Sequence, residues 1–118
     1  MIEKMIEMCF KTRNQAHLMH WKTRSYAEHK ALGHFYEELM SLLDDLVEAC
    51  QGSKSIIGHV SLACKDESMD IIKCLTDDAN WISTNRSKVA HGVPALENIL
   101  DEIVALYLKT LYKLKNLS

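Results

Sequence analysis

The segment "HLMHWKTRSYAEHKALGHFYEELMSLLDDLVE", residues 17–48, determines the fold of this 118-residue chain. Before and after the break at "TRSY", apolar residues recur at three- and four-residue intervals, which is the period of an amphipathic helix. In the second part this stripe comprises Leu32, Tyr36, Leu39, Leu43, Leu46 and Cys50. The segment therefore predicts two antiparallel helices joined by a short turn.

The same periodicity extends to the rest of the chain and predicts helices over residues 2–23, 27–50, 68–89 and 95–117. Gly52 is expected to end the second helix in the left-handed conformation, and Pro94 suits the first position of the fourth. Residues 54–66 form a longer connection, predicted to be either extended or a short helix. One domain, residues 1–118, is expected: an all-α, antiparallel four-helix bundle.

The composition excludes several classes of protein. The formal net charge is −2 and acidic and basic residues are intermixed, which argues against binding to nucleic acid. The first segment carries charges throughout its apolar run, so neither a signal peptide nor a membrane span is expected, and a cytoplasmic location is predicted. The widely spaced Cys9, Cys50, Cys64 and Cys74 are expected to be buried, reduced thiols.

A helical wheel of the second helix places Glu37, Asp44 and Glu48 on one flank of the apolar stripe. Asp44 and Glu48 lie one turn apart, so their like charges destabilise the helix. A bound cation or a basic partner surface would relieve that repulsion. A solvated acidic face remains the alternative.

His20 lies in register with the stripe of the first helix, and His29 also leans toward the core. Neutral imidazoles together with a carboxylate pair suit iron, manganese or zinc. The alternative is that both histidines are hydrogen-bonded core residues. Helix two has two useful faces, so the chain is expected to form a homo-oligomer, at least a dimer.

The pattern of "HW", a short break, a histidine, and then an Asp and a Glu fifteen and nineteen residues later resembles the Dps mini-ferritins of the ferritin-like superfamily. In that family two histidines of one subunit and an Asp/Glu pair of its two-fold mate bind iron. The resemblance implies that His20 and His29 face Asp44 and Glu48 of a second chain, with possible oxidation of Fe(II). This chain differs from that family at Gly33, the position where the family has a further carboxylate.

The phrases "HWKTRSYAEHKALGHFYEEL", "DDLVEACQGSK" and "ENILDEI" resemble small ferritin-like proteins of bacteriophages and large DNA viruses. This resemblance implies the same fold and a viral protein that acts in the host cytoplasm. It implies no activity, and whether the chain is an enzyme stays open.

The break itself admits a different interpretation, because polar and aromatic residues cluster where helix two begins. Backbone N–H groups at a helix start attract anions, so the cluster could enclose a small phosphorylated, nucleotide-like ligand. Its residues are Trp21, Arg24, Tyr26, His29 and Lys30.

The preferred prediction is an iron- or manganese-binding protein that uses His20, His29, Asp44 and Glu48, with Glu37 as a possible extra ligand. The alternatives are the viral ligand-binding oligomer and a helical scaffold.

Overall fold

A computed structural model describes residues 1–62 and 70–118 and confirms the all-α prediction. Its four helices are α1 (Ile2–Lys22), α2 (Tyr26–Ser53), α3 (Ile71–Ala90) and α4 (Pro94–Asn116). Among the described residues, none of these helices has a stretch that is both long and apolar enough to cross a membrane.

The helices form a bundle in which α1 and α4 each pack against both α2 and α3. Thr12 and Gln15 of α1 contact Asp78 and Cys74 of α3, so these two helices run in opposite directions. Helix α3 is likewise antiparallel to α4, and the short turn makes α1 antiparallel to α2. Consequently α2 and α3 run parallel, and the connection between them must return along the length of the bundle.

The first part of this long connection, residues 54–62, contains no helix and lies along α1. The backbone N–H of Gly58 donates to Glu3 Oε2 (2.8 Å), and that of Ser61 donates to Glu7 Oε2 (3.1 Å). The Gly58 hydrogen bond is the main reason that the pKa of Glu3 is lowered. Residues 63–69, which include Cys64 and the predicted start of helix three, lie outside the described residues.

The ends of the helices differ from the predictions in two places. Gly52 lies inside α2 instead of ending it, because the helix continues to Ser53 with Lys54 as its C-cap. The left-handed residues in the described part of the chain are His91 (φ 51°) and Gly92 (φ 74°), after α3. Helix α3 begins at Ile71, where the side chain of Asp70 accepts the N–H of Lys73.

All four helices contribute to one hydrophobic core, whose largest fully buried side chains include Tyr107, Phe35 and Met5. Cys9 and Cys50 are buried free thiols, as predicted, and Cys74 is a half-buried one. His20, which the stripe of α1 predicts to face the core, is only half-buried.

A small polar cluster lies inside this core, where α1, α3 and α4 meet. Thr12 Oγ1 and Tyr107 OH both donate to Asp78 Oδ2, at 2.5 and 2.9 Å. Burial raises the pKa of Asp78 to about 6, although the two hydrogen bonds oppose the shift. The Cys9 thiol lies 3.9 Å from the Tyr107 hydroxyl, and its pKa is raised to about 12, mainly by burial.

Candidate functional site: paired histidines at the turn of the first hairpin

The turn between α1 and α2 positions the candidate site. Thr23 Oγ1 accepts the backbone N–H of Ser25 (3.2 Å), and Ser25 Oγ caps α2 by accepting the N–H of Glu28 (3.2 Å). These side-chain bonds replace the backbone partners that are missing at a helix start. The turn is therefore short and fixed, and it brings His20 at the end of α1 beside His29 at the start of α2.

The rings of His20 and His29 stack, with centroids 3.7 Å apart and planes inclined by 15°. Each ring also bonds to the other residue's backbone. His20 Nδ1 lies 2.6 Å from the carbonyl oxygen of His29, and His29 Nδ1 lies 2.7 Å from the carbonyl oxygen of His20. This reciprocal pair closes the hairpin and holds both side chains in one orientation.

The hydrogen bonds also determine where the ring protons lie. A carbonyl oxygen only accepts, so Nδ1 must be the donor in each ring. In the neutral imidazole the remaining nitrogen, Nε2, then carries a lone pair and can bind a metal ion. The structure thus supplies two oriented nitrogen ligands on one chain.

Gly33 lies one turn after His29 on α2. A Cβ atom at this position would lie 3.0 Å from His20 Cε1 and 3.2 Å from His20 Nδ1. That separation is shorter than a normal van der Waals contact, so the imidazole takes the space that a longer side chain would need. The glycine therefore leaves room for the His20 ring beside α2.

A second group of rings adjoins the pair and was not predicted as a site. His17 stacks on Tyr36 (centroids 4.1 Å, 21°) and contacts Trp21 (4.3 Å), while the Arg13 guanidinium lies 5.1 Å from the centre of the Tyr36 ring. Partial burial is the largest cause of the lowered pKa of His17, followed by the charges of Arg13 and His20. The four-residue spacing of Arg13, His17 and Trp21 was the available signal in the sequence.

The predicted carboxylate ligands lie elsewhere on α2. Asp44, Glu48 and Glu37 are all exposed. Fifteen residues separate Asp44 from His29, about 22 Å along a helix at 1.5 Å per residue. Within residues 1–62 and 70–118, no three His, Cys, Asp or Glu side chains are close enough together to hold a metal ion. One chain therefore does not bring the predicted ligands together.

The residues of the alternative ligand site lie around the outer side of the turn. Trp21 is 66% and Tyr26 73% exposed, so both rings offer a face to solvent. Arg24 is exposed, and the Lys30 ammonium lies 5.7 Å from the centre of the Tyr26 ring. This arrangement is exposed and aromatic, with positive charge nearby.

These features define a four-helix bundle that carries a pair of hydrogen-bonded histidines at the turn of its first hairpin. The chain belongs to DUF5856, a family of unknown function, whose model matches residues 20–114. The match includes both histidines and the carboxylates of α2. Comparisons with curated proteins and with solved structures give no significant match.

Proposed function

We propose that this protein is a ferritin-like, metal-binding homo-oligomer whose site is shared between two chains. His20 and His29 of one chain supply imidazole nitrogens, and Asp44 and Glu48 of a second chain supply carboxylate oxygens. Glu37 is the nearest further acid on the same flank. Mixed nitrogen and oxygen ligands suit iron or manganese.

The reciprocal bonding of the two histidines is the observation that carries this proposal. Ligand histidines in metalloproteins usually donate their second ring N–H to a carbonyl or carboxylate, which fixes the ring and its tautomer. His20 and His29 both have this arrangement without any metal being required for it. The two imidazole nitrogens of one chain are too few ligands for a metal ion. Further oxygen ligands must therefore come from outside that chain.

Helix α2 offers such oxygens on an exposed surface. Between residues 31 and 53 it contains five carboxylates and no lysine or arginine. Asp44 and Glu48 form no ion pair or hydrogen bond through their side chains with any described residue. A two-fold pair of chains that packs α2 against the partner's hairpin turn would bring these acids to the histidines and relieve their mutual repulsion.

The proposal is limited to metal binding. Oxidation of Fe(II), which the mini-ferritin resemblance implies, would be favoured by a further carboxylate, and Gly33 does not provide one.

Complementation between two variants tests the shared site. His29→Asn removes the ligand nitrogen, and Asp44→Asn removes the ligand charge, so each variant alone should bind anaerobic Fe(II) or Mn(II) at least tenfold more weakly by calorimetry. Their mixture should regain binding, because a mixed dimer has one intact site and one site that lacks both ligands. His34→Asn and Asp45→Asn, exposed neighbours on α2, are the matched controls and should bind like the wild type.

Wild-type protein that binds neither metal would overturn the proposal, and so would a mixture that stays as weak as its components.

A second candidate, binding of a small phosphorylated aromatic ligand, is favoured by the exposed faces of Trp21 and Tyr26 beside Arg24. Native mass spectrometry of protein purified from its natural host would test it, since an organic adduct that is lost in Trp21→Ala and retained in His34→Asn is expected. A scaffold without any ligand predicts that His29→Asn weakens only the dimer.

A further inference from the structure

Helix α4 has an apolar surface that faces away from the core. Leu108 and Tyr112, one turn apart, are 55% and 58% exposed. Exposed apolar residues that occur singly are ordinary, but a contiguous patch on a helix indicates a contact surface. This patch borders α3, because Leu108 lines a groove together with Ile82 and Ser83 of that helix.

A groove continues the patch between α3 and α4. Its volume is about 290 Å³, and Ile82, Ser83, Val104 and Ala105 form part of its lining. Most of the side chains that line the groove are apolar, so the groove can take an apolar or aromatic side chain of a partner.

Residues at equal distances before and after Leu108 on α4 are complementary to each other, apolar with apolar and acidic with basic. Val104, at the groove, lies four residues before it, and the exposed Tyr112 lies four residues after it. Asp101 lies seven residues before it, and Lys115 lies seven residues after it. Residues four and seven apart share one face of a helix, at distances of ~6 and ~10.5 Å along the axis.

The charges at the two ends of this face are opposite. Arg86 Nε and Nη2 donate to the two oxygens of Asp101 (2.7 and 2.8 Å), and Arg86 Nη1 donates to Glu97 (3.2 Å). Two carboxylates around one guanidinium leave a net negative charge at this end. At the other end Lys115 is exposed, and no described residue forms an ion pair with it.

We infer that α4 is the interface with a second copy of this chain, packed antiparallel about a two-fold axis at Leu108. Leu108 then meets its own counterpart, and the Tyr112 ring of each chain enters the partner's groove beside Val104. Lys115 of each chain approaches the partner's Asp101 and Glu97. A two-fold axis requires such self-complementarity, because every contact must occur twice. The order of charged and apolar residues along α4 meets that requirement.

This interface is separate from the one that a shared metal site needs. The first would join chains through α4, and the second through the α1–α2 turn and the exposed face of α2. A chain with two different two-fold interfaces assembles beyond a dimer, either into a closed tetramer or into an open filament. The α4 interface does not depend on metal binding, because the two use different residues.

Cysteine crosslinking of the full chain tests the α4 interface. Leu108→Cys places the new thiols next to each other at the axis, so mild oxidation should convert most of the protein into a disulfide-linked dimer. Glu102→Cys is the matched control, because this exposed residue lies on α4 about 120° around the helix from Leu108 at 100° per residue. The wild type, with its native cysteines, gives the background.

A second variant tests the same interface without a covalent bond. Leu108→Glu places two like charges at the axis and should raise the dissociation constant of the α4 dimer at least tenfold in analytical ultracentrifugation. Because Leu108 is exposed, its helical circular dichroism should match that of the wild type. Crosslinking no greater than in Glu102→Cys, or an unchanged mass for Leu108→Glu, would overturn the inference. The double variant Asp44→Asn/Leu108→Cys should crosslink to the same extent as Leu108→Cys alone, whatever the effect of Asp44→Asn on metal binding.

Discussion

Replacing Asp78 with asparagine would test how the bundle tolerates a charge in its interior. Among residues 1–62 and 70–118, Asp78 is the only carboxylate that is buried, at 7% exposure. Both of its hydrogen bonds end on Oδ2, so the single carbonyl oxygen of asparagine can accept both. No buried side-chain nitrogen or oxygen among the described residues lacks a hydrogen-bond partner. The amide nitrogen of asparagine, at the Oδ1 position, therefore reaches solvent as that oxygen does.

The size of the effect follows from the pKa of Asp78. Folding raises that pKa from 3.8 to about 6, and each unit corresponds to about 1.4 kcal/mol, so the ionised side chain destabilises the fold by about 3 kcal/mol. The folded state binds the proton more tightly than the unfolded state. Stability contributed by this group is therefore complete below pH 4, decreases as the pH rises to 6, and stays low above pH 7.

The measurement is the free energy of unfolding in urea, followed by circular dichroism between pH 4 and pH 8. Relative to the wild type, Asp78→Asn should gain little at pH 4 and up to about 3 kcal/mol at pH 7.5. The difference between the two proteins removes the opposite pH dependence of other acids, such as Glu3 and Asp101, whose pKa values are lowered. Asp77→Asn, at an exposed neighbour, should give a small difference without this profile.

Asp78→Ala separates charge from hydrogen bonding. It removes the acceptor for Thr12 and Tyr107, and each buried donor left without a partner destabilises by about 1–3 kcal/mol. If Asp78→Asn were as unstable as Asp78→Ala at pH 7.5, or if its advantage did not grow between pH 4 and pH 7, the reasoning about the buried charge would be wrong.

The remaining predictions concern glycine packing and the long connection. Gly33→Ala should destabilise the protein in thermal unfolding, because the new methyl group would lie only 3.0 Å from the His20 ring, which its bond to the His29 carbonyl holds in place. Gly52→Ala in the same helix has free space and should stabilise by up to about 1 kcal/mol. Equal effects of the two substitutions would contradict this steric argument. Glu3→Ala should speed hydrogen exchange at the amide of Gly58 while the amides of α4 keep their rates, and unchanged exchange there would refute the carboxylate contact.

The periodicity of the sequence was sufficient to predict the four helices, because each one has an apolar stripe long enough to determine its type. The ends were harder to predict. Glycine commonly ends a helix, yet α2 continues past Gly52 to Ser53, and the chain leaves α2 without a left-handed residue. Local propensity favours several ends almost equally, and packing of the following residues against α1 selects among them.

The candidate site was predicted less completely, since side-chain direction depends on tertiary contacts. The wheel correctly places Asp44 and Glu48 away from the core, but it contains no information about a partner chain. Nor does it predict that His20 and His29 bond to each other's carbonyls, because the geometry of the turn determines that contact. Asp78 was missed for the opposite reason, since an acid at a core position is an exception that requires knowledge of its hydrogen-bond partners.

The two ring nitrogens of His20 allow its structural and ligand roles to be separated. In asparagine the amide nitrogen lies close to the position of Nδ1, so His20→Asn can keep the bond to the His29 carbonyl while removing Nε2. Compared with His20→Ala, it should retain more of the thermal stability, and it should still lose metal binding. A scaffold role for the histidines predicts instead that His20→Asn resembles the wild type in stability and that metal has no effect on either protein. Retained metal binding in His20→Asn would exclude Nε2 as a ligand, whatever the stability of the variant.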